Sequence, residues 1–185
     1  MNGYFSLNGI YLRYRKEVTV MKVKFKGEYT PLSENIKEKD HLGEFIVVDS
    51  NMNEIKSNDL KGIKIILTVP SVDTSVCSRE LAHFIDLLKD EEITFLSVSM
   101  DLPFALDRWC QSHAAENIIA ASDFRYHDFA DVSGLIMPEI GLFSRSVLLV
   151  DENNIVRYLE IVEDVSNEPD YEKVMNQLQS LKKSA

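Results

Sequence analysis

The segment KIILTVPSVDTSVCSRELAHFIDLLK, residues 64–89, decides the fold. Lys64–Val69 is a β-branched apolar run and reads as a buried strand. Ser75–Lys89 follows with Val76, Leu81, Phe84, Ile85 and Leu88 at helical spacing, and Ile93–Ser99 reads as a second buried strand. Strand, helix and strand in this order predict a βαβ unit. Outward toward the N-terminus, Val23–Tyr29, Phe45–Asp49 and Glu54–Ser57 read as strands, the last two joined by a turn at Asn51-Met52-Asn53. Toward the C-terminus, Pro103 opens a helix through Phe104–His113, and Ile118–Ala121 is a short strand. Ser146–Val150 and Ile155–Ile161 pair across Asp151–Asn154, and Tyr171–Leu181 closes the chain as a helix. Strands alternating with helices predict an α/β sandwich around a mixed sheet.

The chain has 185 residues, 45% of them apolar, enough for one domain with a sizeable core. Its formal net charge of -10 argues against nucleic acid, whose phosphates need clustered Lys and Arg. A small neutral or apolar substrate fits better. Residues 1–26 are the exception, with Arg13, Arg15, Lys16, Lys22, Lys24 and Lys26 against Glu17 alone. The longest apolar run near these charges, Ile10-Tyr11-Leu12, falls far short of a signal-peptide core, so secretion is not expected. Nor does any stretch approach the roughly 20 apolar residues that cross a bilayer, so no membrane role is expected and a cytoplasmic location is. No internal repeat, GxGxxG or Walker pattern supports nucleotide binding.

Two cysteines, Cys77 and Cys110, form neither a CxxC pair nor a zinc-like cluster, and the chain has no Asn-x-Ser/Thr sequon. They are either a reactive pair or two buried thiols. Cys77 falls in the first turn of a helix, where unpaired N–H groups and the positive end of the helix dipole favour an anion and hence a thiolate. Thr74, three residues earlier, either reaches that anion or caps the helix, and Pro70 stiffens the strand exit. Arg79 is read as a solvated charge and Trp109 as a packing residue. The four histidines, His41, His83, His113 and His127, are not spaced as ligands and are read as non-catalytic.

Pro70, Thr74 and Cys77 spell Pro-x-x-x-Thr-x-x-Cys, which resembles the active-site signature of the peroxiredoxins, and the form PSVDTSVC is similar to their thiol peroxidase branch. The resemblance extends to Arg108-Trp109-Cys110, Ser122-Asp123-Phe124-Arg125, Gly141 through Val147, and Asn167-Glu168-Pro169-Asp170-Tyr171, and covers roughly residues 22–183. It departs at Lys39 through Phe45, where the family's usual proline and alanine are missing. It implies a thioredoxin-like fold, a central mixed sheet flanked by helices with an N-terminal β-hairpin extension. Residues 21–185 would form this domain, and Met1–Val20 a disordered leader or extension.

For the chemistry, the resemblance implies that Cys77 attacks the peroxide and that Thr74 and Pro70 shape its pocket. Arg145 would hold thiolate and peroxide together, and Cys110 would resolve the sulfenic acid as a Cys77–Cys110 disulfide after local unwinding of both segments. It further implies hydrogen peroxide and organic hydroperoxides as substrates, thioredoxin as electron donor, a homodimer, and no metal or organic cofactor. Leu135, Ile136, Met137, Ile140, Leu142 and Phe143 are candidates for an apolar pocket or a dimer contact, with core packing the commoner role of such runs. Two rival readings are a peroxide-sensing regulator that passes oxidation to a partner, and a protein-disulfide oxidoreductase. The first would dispense with Arg145 or Thr74, and the second would need a CxxC at the helix start.

Overall fold

The computed structural model describes residues 21–113 and 117–184, together with a backbone pairing of β1 (Ser6–Leu7) and β2 (Ile10–Tyr11). The rest of the expected leader Met1–Val20 lies outside the described residues. The strand expected over Val23–Tyr29 is instead a hairpin of β3 (Lys22–Phe25) and β4 (Glu28–Pro31). Lys26 and Gly27 take φ of 50° and 90°, and two successive left-handed residues make a tight hairpin turn where the sequence reading ran a strand straight through.

The remaining elements follow the predicted order. They are β5 (Ile46–Asp49), β6 (Glu54–Lys56), β7 (Lys64–Thr68), α1 (Ser75–Leu87), β8 (Thr94–Ser99), α2 (Pro103–His113), β9 (Ile119–Ser122), α3 (Asp128–Ser133), β10 (Ile136–Met137), β11 (Leu142–Phe143), β12 (Ser146–Val150), β13 (Val156–Ile161) and α4 (Tyr171–Ser184). The sequence reading assigned neither α3 nor the small β10–β11 pair. A six-residue helix and two-residue strands are too short to show a period.

Among the described residues the main sheet has seven strands in the order β13-β12-β7-β8-β9-β5-β6, with β7, β8 and β9 parallel and the other pairings antiparallel. Every residue of β7 and β12 is buried, because the central strands are covered on both faces, which is why they read as unbroken apolar runs. Alternate residues serve opposite faces: Ile65 and Leu67 pack with Leu81 and Phe84 of α1, Leu106 and Trp109 of α2, and Val174 and Leu178 of α4. Ile66 faces the other core, with Leu96, Val98, Phe129, Leu135, Phe143 and Leu148. Each fully buried Leu or Phe contributes roughly 1.5–3 kcal/mol.

A third, smaller cluster of Val23, Leu32, Met137 and Val165 fastens the β3–β4 hairpin beside β10 and β11. Gly134 closes α3 in the left-handed conformation, φ +63, where an added Cβ would collide with the Glu34 carbonyl oxygen. Among the described residues no helix is long and apolar enough to cross a membrane.

Candidate active site

The site forms at the carboxyl ends of the parallel strands, where β7 leads into α1 and β8 into α2. Pro70, which has no N–H to continue the β7 ladder, is buried just past the strand end and turns the chain out of the sheet. Thr74 then adopts an extended backbone, φ -89 and ψ 144, and its hydroxyl oxygen accepts the backbone N–H of Cys77 at 3.2 Å. Of the two roles that the sequence left open for Thr74, the N-cap is the one seen. Cys77 is 0% exposed and sits in the first turn of α1.

Arg145 arrives from the opposite direction. β12 runs antiparallel to β7 with Ser146 opposite Thr68, so the residue before β12 lies at the end of the sheet where α1 begins. Its guanidinium, 1% exposed, uses all three nitrogens: Nη2 donates to Cys77 Sγ at 3.3 Å, Nε to the Val165 carbonyl at 3.0 Å, and Nη1 to Glu80. The planar fork of arginine, rather than a lysine's point charge, makes this triple contact possible.

Glu80 is a site residue that the sequence reading missed. It is 0% exposed, one helical turn after Cys77 and on the same face of α1, and it pairs with Arg145. Burial pushes its carboxyl up to about 7, against the downward pull of Arg145. Among the described residues its Oε1 has no hydrogen-bond partner, which also favours the protonated form. Burial pulls Arg145 down, but the neighbouring Glu80 and Cys77 outweigh it and the guanidinium is pushed up. An acid at a position where Leu81 and Phe84 mark the buried face is the signal by which Glu80 was legible.

Asp101 is the second missed residue. It follows β8 and receives the Ser71 hydroxyl at 2.7 Å, the Val72 N–H at 2.8 Å and the Ser99 hydroxyl at 2.9 Å. The carboxylate thereby ties the loop between Pro70 and Cys77 to the neighbouring strand.

Cys110 lies on α2, partly buried against the core cluster that contains Cys77, and both cysteines are free thiols. Burial, and next the charge of Asp107, push the Cys110 thiol up. Arg79 is exposed and pairs with Glu168 at 3.2 Å. Leu135, Met137 and Phe143 are core residues at 0% exposure, and Ile140 is exposed. Among the described residues no cluster of His, Cys, Asp or Glu is arranged to hold a metal.

A buried thiol at a helix N-terminus beside an arginine that immediately precedes a strand, on a thioredoxin-like α/β scaffold, defines a thiol-based redox protein. Comparison with known proteins agrees: the Redoxin family matches residues 37–175. A thiol peroxidase of Clostridium acetobutylicum is 37% identical over 164 residues, covering 88% of this chain and 100% of the relative. One of Oceanobacillus iheyensis is 39% identical over 159 residues, 84% of this chain and 97% of the relative. Among solved structures, a peroxiredoxin-like protein from Aquifex aeolicus superposes with a TM-score of 0.82 at 34% identity, covering 86% of this chain and 96% of that one. The chain belongs to the Redoxin family and, within it, to the thiol peroxidases, peroxiredoxin-type peroxidases.

Proposed function

We propose that this chain reduces hydrogen peroxide and organic hydroperoxides through Cys77, with Cys110 as the resolving thiol and thioredoxin as the electron donor. The observation that carries the reading is the 3.3 Å contact from Arg145 Nη2 to Cys77 Sγ at the head of α1. The Cys77 thiolate attacks one peroxide oxygen; an S–O bond forms, the O–O bond breaks, and the departing alkoxide or hydroxide takes a proton. The sulfur is oxidised by two electrons to a sulfenic acid. Arg145 and the N–H groups of the first turn of α1 stabilise the charge that moves onto the leaving oxygen. The Thr74 hydroxyl, whose oxygen accepts from Cys77 N–H, keeps its own proton to donate to the peroxide. Pro70 forms a wall of the pocket.

In the second step the Cys110 thiolate attacks the sulfenic sulfur, hydroxide leaves as water, and the Cys77–Cys110 disulfide forms. A disulfide requires Cα atoms within about 7 Å, and the first turn of α1 and the helix around Cys110 unwind locally to bring the two sulfurs together. A thioredoxin dithiol then returns two electrons and two protons. The working unit is a cytoplasmic homodimer of the domain at residues 21–185, with residues 1–20 a leader or extension to it.

The test is thioredoxin-coupled NADPH oxidation with hydrogen peroxide and with cumene hydroperoxide. Continuous turnover in the wild type, lost in Cys77→Ser and in Cys110→Ser, is expected. Peroxide consumption that stops after one equivalent with active reductase present would replace the catalytic reading with that of a sensor.

A further inference from the structure

The two cysteine helices are joined by a chain of side-chain hydrogen bonds that the peroxide step does not use. Ser78 follows Cys77 in α1; Trp109 precedes Cys110 in α2, and His113 ends that helix. The Trp109 indole Nε1 donates to Ser78 Oγ at 2.9 Å, and the same oxygen lies 3.1 Å from His113 Nε2. His113 stacks on the Trp109 ring at 4.4 Å between centroids and 17° between planes, and its Nδ1 lies 2.9 Å from the Trp109 carbonyl. The Ser112 hydroxyl, which donates to the Trp109 carbonyl at 2.9 Å, lies 2.8 Å from the same Nδ1, and in the tautomer with the proton on Nδ1 the ring's Nε2 accepts the Ser78 hydroxyl, which itself accepts the indole N–H.

We propose that Ser78, Trp109 and His113 form a latch that sets how long the Cys77 sulfenic acid waits before Cys110 reaches it. The proposal rests on the assignment of Cys77 and Cys110 above. Ser78 and Trp109 are the immediate chain neighbours of the two sulfurs. Neither segment unwinds at its cysteine without breaking the Trp109–Ser78 bond, whereas attack on the first peroxide leaves that bond in place. While the latch is closed the sulfenic acid faces a competing reaction. Its sulfur attacks a second hydroperoxide, gaining an oxygen as that O–O bond breaks and an alcohol or water leaves, and the product is a sulfinic acid that Cys110 cannot resolve. Ser78 and His113 are thus positioning residues that divide the sulfenic acid between recycling and over-oxidation.

Trp109 is the single tryptophan of the chain, so its fluorescence reports the opening directly. The experiment uses the full reduced chain mixed with hydrogen peroxide, read by stopped-flow fluorescence and by mass spectrometry of the disulfide and sulfinic products. Ser78→Ala removes the central oxygen, His113→Phe keeps a stacked ring but no nitrogen, and Gln111→Ala, whose side chain donates to Asp107 one turn earlier in α2, serves as control. Both latch variants are expected to form the disulfide about fivefold faster, the factor that one ordinary hydrogen bond of ~1 kcal/mol supplies, and to accumulate correspondingly less sulfinic acid. The rate of sulfenic acid formation in His113→Phe stays at the wild-type value, and Gln111→Ala matches wild type throughout.

Amide hydrogen exchange at residues 75–80 and 109–113 of the reduced protein, which needs no disulfide, is expected to quicken in both latch variants. Unchanged resolution and exchange in Ser78→Ala and His113→Phe would overturn the latch. A wild type that forms no Cys77–Cys110 disulfide would overturn the underlying assignment instead, and the exchange result still decides whether the latch holds the two helices.

Discussion

The guanidinium of Arg145 touches the sulfur of Cys77 at 3.3 Å across 68 positions of sequence, and the same group pairs with Glu80. Replacing it with methionine keeps much of the side-chain volume but removes the charge that stabilises the leaving oxygen. Arg145→Met is expected to slow Cys77 oxidation by about 10²–10³-fold, the cost of losing one such donor. Arg145→Lys should fall between the two, since a point charge cannot serve sulfur, carboxylate and carbonyl together. Single-turnover thiol oxidation by peroxide measures both.

Glu80 gives the site a pH dependence. Its carboxyl, pushed up to about 7 by burial, is neutral at low pH and leaves the Arg145 charge to Cys77; above that value it ionises and shares the charge. The rate of Cys77 oxidation in Glu80→Gln, divided by that of wild type, is therefore expected near one at pH 6 and above one at pH 8. The stability sign follows the same shift. With a folded value above the ordinary 4.5, the folded state binds this proton more tightly, so the contribution is full below about 4.5 and is lost as pH rises through about 7. Glu80→Gln should gain stability relative to wild type between pH 5 and pH 8, by roughly 1–3 kcal/mol. Thermal unfolding at the two pH values reads it, and a constant difference would count against a titrating Glu80.

Asp101 fixes the loop that presents Cys77. Asp101→Ala deprives Ser71, Val72 and Ser99 of their acceptor, at a cost of about 1–3 kcal/mol in stability. A misplaced first turn is also expected to slow Cys77 oxidation by about tenfold or more. Asp101→Asn, which keeps one acceptor oxygen, should recover part of both. Chemical denaturation and single-turnover kinetics on the same samples separate the two effects.

Gly134 tests the fold apart from the site. A Cβ there meets backbone at Glu34 and the residue must hold φ +63, so Gly134→Ala is expected to destabilise by at least about 1–3 kcal/mol. The folded fraction should oxidise Cys77 at the wild-type rate. A midpoint of urea unfolding unchanged from wild type would show that the Glu34–Gly134 approach is not fixed.

Much of this was legible in the sequence because buried parallel strands and an amphipathic helix write their periods plainly: residues 64–99 read as βαβ and fold so. The spacing of Pro70, Thr74 and Cys77 likewise marked the helix head. What failed was local or distant. The turn at Lys26-Gly27 depends on two left-handed residues, which a run such as Val23–Tyr29 conceals. Asp101 looks like an ordinary surface acid until the parallel pairing of β7 with β8 brings its partners to it, and Glu80, though it falls on the apolar face of α1, gains its partner only through the register of β12 against β7. Arg145 was expected from the resemblance to a known signature and not from its spacing. An arginine ahead of a strand has no periodic mark that would tell it from a solvated one.

The most direct test of the Cys77–Cys110 account is to treat wild type, Cys77→Ser and Cys110→Ser with one equivalent of hydrogen peroxide and map the products by mass spectrometry with a sulfenic acid trap. The account predicts a Cys77–Cys110 disulfide in wild type, a trapped sulfenic acid on Cys77 in Cys110→Ser, and an unmodified Cys110 in Cys77→Ser. Peroxide consumed by Cys77→Ser as fast as by wild type would contradict it.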